Sequence, residues 1–296
     1  MRTYSLDDVY ETRKRRDSWW TVYFVDPVAC RVALPVANHT RLTPNGLTVL
    51  SLVLGMVSAA CFTMNQLVAG AVVFYLSFMI DCVDGKIARL KGTGTPFGLW
   101  LDYVGDRIRV VVCAGGLASG QYALTGDVRY VVLGAAVAVL DLFRYVNAPQ
   151  MKRVREAVRE ARNEPEPDED ADPLERLSLE QAHTQPLEPV SLEQTLTEPL
   201  ERVSLERGPR QRGFFRRLNR FLARHRVRSH LISGIEFHAA VFVVAPLAGA
   251  WALIPLAALA GALLLANEVF LVYRMWRFTR RHAVASSRES REHVLV

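Results

Sequence analysis

The chain has 296 residues, half of them hydrophobic and 22% charged, with a formal net charge of +6. These averages would suit a soluble protein, but the residues are segregated, with charge-free stretches alternating with stretches that are mostly charge. That segregation excludes a soluble globular domain and indicates several membrane spans joined by polar segments. The positive balance then reads as basic cytoplasmic loops rather than nucleic-acid binding. Cys30, Cys61, Cys82 and Cys113 form no CxxC pair, which argues against a disulfide scaffold and a zinc site. They read as packing residues.

The first 16 residues are polar and end in Arg13-Lys14-Arg15-Arg16. The aromatic run Trp19-Trp20-Thr21-Val22-Tyr23-Phe24 follows at once, a pairing expected of a helix lying in the membrane interface. The alternative is a short apolar turn packing on the protein. Thr43-Pro44-Asn45 starts a helix, and a charge-free span runs from about Leu47 to Met64. Asn65-Gln66 is a short turn. The apolar run from Leu67 to Ile80 is too short to cross alone, so it must continue through Asp81-Cys82-Val83-Asp84. A third span is expected from about Gly98 to Leu124, with Asp102, Asp106, Arg107 and Arg109 in its first half. A fourth covers about Tyr130 to Val146, a fifth Leu231 to Ala250 and a sixth Trp251 to Tyr273.

Among the residues flanking these spans, nearly all Lys and Arg fall on one side, with only Arg129 opposite. The positive-inside rule places both termini, and the four aspartates, at the cytoplasmic face. The fold class expected is therefore all-α, a polytopic six-transmembrane-helix bundle with an interfacial N-terminal helix and a largely disordered cytoplasmic insertion. The divisions are 1–46, an N-terminal cytoplasmic and interfacial segment; 47–149, spans one to four; 150–228, a linker; 229–276, spans five and six; and 277–296, a cytoplasmic tail.

The linker holds a 13-residue repeat beginning at Pro173, Pro186 and Pro199. Residues 164–206 carry 13 acidic residues against two arginines and no aromatics, a composition that favours disorder. Residues 207–228 carry nine arginines. The acidic repeat could compete with anionic lipid for this arginine stretch; the plainer reading is a solvated linker.

Asp81 and Asp84, three apart, share a helix face, as do Asp102 and Asp106, four apart. The loop Gly92-Thr93-Gly94-Thr95-Pro96 makes the two helices antiparallel neighbours with their carboxylates near one end. Four carboxylates in one low-dielectric place cannot all be ionised unless cations hold them. Ligand sets of oxygen alone select Mg²⁺ or Mn²⁺, and two such ions about 3.5–4 Å apart are a common device for displacement at phosphorus. Gly85 and Ala88 leave room for a ligand near the backbone, with Arg89 and Lys91 beside them as candidate diphosphate partners.

The pattern Asp81-x-x-Asp84-Gly85-x-x-Ala88-Arg89, eight residues, then Gly98-x-x-x-Asp102-x-x-x-Asp106 resembles the signature of the CDP-alcohol phosphatidyltransferase family. Every signature position is filled, and the six spans and the Thr-Pro-Asn before the first agree with the family pattern. The long acidic repeat does not belong to it. The resemblance implies transfer of a substituted phosphate from a CDP-linked lipid donor, such as CDP-diacylglycerol, to an alcohol or phospho-alcohol acceptor, with release of CMP. It implies that Asp81, Asp84, Asp102 and Asp106 hold two Mg²⁺ or Mn²⁺ ions. Asp106 also acts as general base, and Asp81, Asp84, Gly85, Ala88, Arg89, Gly98 and Asp102 form the nucleotide site. A plasma-membrane location among the lipids is expected, and the resemblance admits a homodimer.

Acceptor contacts are the least legible part. Arg107 and Arg109 should lie near the cavity mouth and could bind a phosphorylated acceptor; Arg109 could equally reach to lipid phosphate. Arg144 and Glu236 are further candidates, although Asp141 and Arg144 are spaced to pair with each other. Glu236 and His238 could instead form an interhelix polar pair, as could Asn267 and Glu268. Three other readings compete: transfer of a CDP-linked head group to a lipid alcohol, intramembrane prenyl transfer, and a cation transporter with intramembrane carboxylates.

Overall fold

The computed structural model describes residues 3–160, 225–226 and 232–294, and its elements are all helices. The chain divides into two units. Of the smaller, which comprises Arg15–Asp17 and Glu166–Ser229, the described residues are 15–17 and 225–226, joined by a hydrogen bond from Asp17 N–H to the Arg226 carbonyl, 2.9 Å. The acidic repeat and most of the arginine-rich stretch lie outside the described residues.

In the larger unit, α1 (Leu6–Glu11) opens with a capping box, in which Ser5 and Asp8 satisfy each other's backbone N–H groups. A π-helical turn (Thr21–Val25) runs into α2 (Asp26–His39). Thr21 and Val25 are buried while Tyr23 and Phe24 are exposed, so the aromatic run is helical and packs one face on the protein. Trp20 stacks on Phe24 with ring centroids 4.6 Å apart.

Helices α3 (Pro44–Thr63) and α4 (Leu67–Lys91) form a hairpin. Thr43 Oγ1 caps α3 by accepting from the Gly46 N–H at 3.2 Å, and Pro44 occupies the first turn, where its missing N–H costs nothing. The turn between them uses Asn65 in the left-handed conformation, φ +60°. Helix α4 runs unbroken through Asp81 and Asp84, as the shortness of its apolar run requires. It stops at Gly92, φ +62°, a conformation glycine adopts without strain. Helix α5 (Pro96–Thr125) repeats the threonine-proline start, with Thr95 Oγ1 3.0 Å from the Gly98 nitrogen. Helix α6 (Arg129–Glu160) follows. Then come α7 (Gly234–Ala239), a π-helical turn (Ala240–Val244), α8 (Ala245–Ala248) and α9 (Ala250–Val294).

The sequence predicts six spans. Among the described residues, α3, α4, α6 and α9 are long and apolar enough to cross a membrane. Helix α5 has the length, but four charged side chains in its first half deny it a long apolar stretch. The segment Gly234–Ala248 is apolar but shorter. The chain is a multi-pass membrane protein on this basis. Val49, Leu50, Val53 and Val57 of α3 and Val132, Val139 and Val146 of α6 are exposed, at no cost where the surroundings are lipid tails.

What holds the bundle together is close backbone approach. Gly116 and Gly120 of α5 sit against the carbonyls of Ala59 and Phe62 in α3, so that a Cβ on either would collide with backbone. Phe62, Phe74, Cys113, Leu117, Phe237 and Phe242 form the main core between α3–α5 and α7–α9. A second core packs Val25, Ala29, Cys30 and Ala33 against Leu47, Val83 and Ile87. Beside it, Lys86 of α4 and Asp26 of α2 form a 2.7 Å ion pair with side chains 5% and 6% exposed.

Candidate active site

Three helices meet at the end of the hairpin where α3 begins, α4 ends and α5 begins. Helix periodicity points Asp81 and Asp84 from α4, and Asp102 and Asp106 from α5, toward this place. One carboxylate oxygen from each of Asp81, Asp102 and Asp106 lies within 4.8 Å of the others. At that spacing each ionised pair repels by about 3.5 kcal/mol at an effective dielectric of about 20.

Arg109 offsets part of this repulsion. Its guanidinium pairs with Asp106 and lies 3.4 Å from Asp81 Oδ1, and it also donates to Ser77 Oγ at 3.3 Å. The side chain is 4% exposed. It therefore does not stand at the cavity mouth, as its place in the sequence suggests. The cause lies on α3, where Gly55 has no side chain: a Cβ there would come within 2.7 Å of Arg109 Cγ. The three carboxylates outnumber the one guanidinium that pairs with two of them, an excess of acidic groups. An all-oxygen donor set with that excess fits a hard divalent cation.

Asp84 stands outside this three-carboxylate group. It is buried, and its Oδ2 accepts from Thr48 Oγ1 at 2.6 Å. Ser51, three residues along α3, donates to Asp81 Oδ1 at 3.1 Å. Ser77 Oγ in turn donates to the Ser51 carbonyl at 2.6 Å.

The other signature residues divide by what surrounds them. A Cβ on Gly85 would meet no more than the tip of Arg89 at 3.4 Å, so packing does not demand glycine there. Ala88 is half-buried one turn on. Arg89 is exposed, and its Nε donates to the Thr12 carbonyl at 2.7 Å. Gly98 faces the Asn45 carboxamide, with which a Cβ would collide. At Gly98 the small residue therefore serves the α3–α5 contact as well.

On the far side of Asp106 the helices carry a second polar cluster. Arg107 pairs with Asp141 of α6, lies 3.7 Å from Asp106 Oδ2 and stacks over the Tyr145 ring at 3.9 Å. Asp141 also contacts His238 Nε2 at 2.7 Å. Asp141 thus does not pair with Arg144; it is held by Arg107 and His238. Arg144 instead lies 3.6 Å from Glu268 Oε1, whose other oxygen accepts from Asn147 at 3.0 Å. Among the described residues Glu236 makes no interhelix pair; it closes a capping box with Ser233 at the start of α7. His238 is the member of that pair which bridges helices.

Residues 41–161 match the family model for CDP-alcohol phosphatidyltransferase. Over this stretch the chain is similar to that family. A bifunctional IPC transferase and DIPP synthase of Aquifex aeolicus is 42% identical over 67 residues, 23% of this chain and 15% of the relative. An archaetidylinositol phosphate synthase of Methanothermobacter thermautotrophicus is 32% identical over 105 residues, 35% of this chain and 50% of the relative. A phosphatidylinositol phosphate synthase of Mycobacterium bovis is 38% identical over 82 residues, 26% of this chain and 38% of the relative. The chain thus spans half or less of the length of these relatives.

Within the phosphatidyltransferase stretch, sequence reasoning missed Thr48, Ser51 and Ser77. Small hydroxyl residues in an apolar span are ordinarily silent; the available signal was their polarity near the aspartates, Thr48 and Ser51 on α3 and Ser77 one turn before Asp81 on α4. The buried Lys86, inside the signature itself, was missed as well. A lysine between Gly85 and Ala88 reads as solvated until its distant partner Asp26 is known.

Proposed function

We propose that the chain transfers a substituted phosphate from CDP-diacylglycerol to a phosphorylated polyol, releasing CMP, at the cytoplasmic face of the plasma membrane. The observation that carries the reading is the convergence of Asp81, Asp102 and Asp106 within 4.8 Å on two antiparallel helices, inside a stretch of the phosphatidyltransferase family.

In this reading α3–α6, Gly234–Ala248 and α9 are six spans, and both termini are cytoplasmic. Asp81, Asp84, Asp102 and Asp106 hold two Mg²⁺ or Mn²⁺ ions. Held there, such ions would supply positive charge to the diphosphate and to the oxygens on which negative charge develops. Gly85 and Ala88 leave the backbone of α4 open to the nucleotide, with Arg89 and Gly98 at its edges. Asp106 accepts the proton of the acceptor hydroxyl. The acceptor oxygen bonds to the phosphorus that carries the lipid, and the P–O bond to CMP breaks. Arg109 holds Asp81 and Asp106 in register, and Arg107 faces the phosphate of the acceptor. The inositol phosphate in the names of two relatives supports this acceptor class.

The test is CMP release by the purified chain in detergent, with CDP-diacylglycerol, Mg²⁺ or Mn²⁺, and a panel of inositol, inositol phosphate, glycerol phosphate and serine. Release dependent on an acceptor phosphate supports the reading. No release with any acceptor removes it.

A further inference from the structure

We infer that Asp141, backed by His238, is a positioning residue that holds Arg107 for a phosphate-monoester acceptor and keeps it off Asp106. The inference deepens the reaction proposed above and rests on it for the identity of the ligand. It starts from what an arginine beside a carboxylate does when left alone. Arg107 is next to Asp106 in sequence, and its Nη2 lies 3.7 Å from Asp106 Oδ2. A free guanidinium at that distance closes onto the carboxylate. Arg109 has already paired with the other Asp106 oxygen. A second close pair would put a guanidinium on each oxygen, lowering the basicity of the carboxylate and competing with the hydroxyl for it.

Three contacts oppose that collapse. Asp141, whose side chain is fully buried, takes Arg107 Nη1. The Tyr145 ring lies under the guanidinium, its centroid 3.9 Å from Cζ. His238, from α7, contacts the second oxygen of Asp141 at 2.7 Å and so fixes the carboxylate that fixes Arg107. These residues come from α5, α6 and α7, so the arrangement is tertiary and leaves no trace in the signature. Arg107 retains an Nε that is buried and has no hydrogen-bond partner among the described residues. It is a donor beside the candidate reacting carboxylate that the protein itself does not satisfy. A phosphate monoester offers the acceptor oxygens and the negative charge that such a guanidinium recognises.

The experiment measures binding of inositol 1-phosphate by calorimetry, and KM for acceptor and donor separately, on the full chain in detergent. Asp141→Asn and His238→Leu are expected to weaken inositol 1-phosphate binding about 10- to 100-fold, the usual size of an outer-shell orienting contact. The KM for CDP-diacylglycerol should stay within about twofold. His238→Gln, which can keep a donor toward Asp141, should restore binding. In an Arg107→Gln background, Asp141→Asn should have no further effect. Should Asp141→Asn fail to fold, the His238 pair carries the test. Wild-type affinity in both Asp141→Asn and His238→Leu overturns the inference, as does a parallel loss for donor and acceptor or a wild type that does not bind the ester. Binding of the ester without CMP release would remove the proposed reaction and leave the positioning role standing.

Discussion

The Thr48 hydroxyl donates to Asp84 Oδ2 over 2.6 Å, from a helix that contributes no carboxylate of its own to the site. Hydrogen bonds to charged groups contribute about 1.5–3 kcal/mol net. Thr48→Val should therefore lower the melting temperature of the detergent-solubilised protein by several degrees. It should also raise the Mg²⁺ or Mn²⁺ concentration needed for half-maximal CMP release, because Asp84 loses its fixed direction. Thr48→Ser should restore both.

Asp106 is the candidate general base, with one oxygen on Arg109. Asp106→Asn keeps the size of the side chain and removes its basicity. CMP release should fall about 10²- to 10⁴-fold, the usual contribution of a positioned base. Binding of CDP-diacylglycerol, followed by competition with a labelled analogue, should change little. Wild-type turnover in this variant would show that another group takes the proton.

Chelation offers a test that needs no mutation. With three carboxylate oxygens within 4.8 Å and Arg109 paired with two of the three side chains, the site has an excess of acidic groups. Removing divalent ions with EDTA should abolish CMP release, and Mg²⁺ or Mn²⁺ should restore it. The thermal midpoint should rise on readdition, since an ion that binds the folded state stabilises it by mass action.

Lys86 and Asp26 form a pair with both side chains almost wholly buried. Breaking one partner of such a pair costs about 3–5 kcal/mol, because the other charge is left uncompensated. Lys86→Met should accordingly unfold at a much lower temperature. Asp26→Asn combined with Lys86→Met should recover part of the loss, although each single change is damaging. Additive losses in a thermal-shift assay would argue that the pair is not what the two side chains contribute.

Gly120 of α5 lies against the Phe62 carbonyl of α3. Gly120→Leu must push the two helices apart. It should destabilise by about 1–3 kcal/mol, the usual range for overpacking, and lower CMP release by separating Asp102 and Asp106 from the serine and threonine of α3. Gly115, with nothing near its missing Cβ, should tolerate alanine in the same assays.

Local patterns carried much of this architecture. The threonine-proline start of α3 was legible because a cap is a contact between near neighbours in the chain; the same signals at Gly92 and at Thr95-Pro96 were read only as a loop, with the third span begun at about Gly98. The spacing of the four aspartates was legible for the same reason: helix periodicity alone brings two pairs to facing sides. The partners of the charged residues were not. Arg109 looked like a mouth residue because its sequence neighbours are charged, and only the missing side chain of Gly55, 54 positions earlier, lets it turn inward. Asp141 and Arg144 share a face and invite pairing, yet Asp141 meets Arg107 and His238 while Arg144 meets Glu268. Glu236 stood out in an apolar run, and the contact the structure gives it is the most local one available, a cap for its own helix.

The buried bond between positions 26 and 86 has a bearing on descent as well as on stability. Lys86 is two residues from Asp84, so an amphipathic leader far upstream is mechanically part of the motif. Neither position can drift alone without stranding an ion. Homologous chains that keep the basic residue should keep the acid, and those that lose one should have replaced both with neutral side chains of matching bulk.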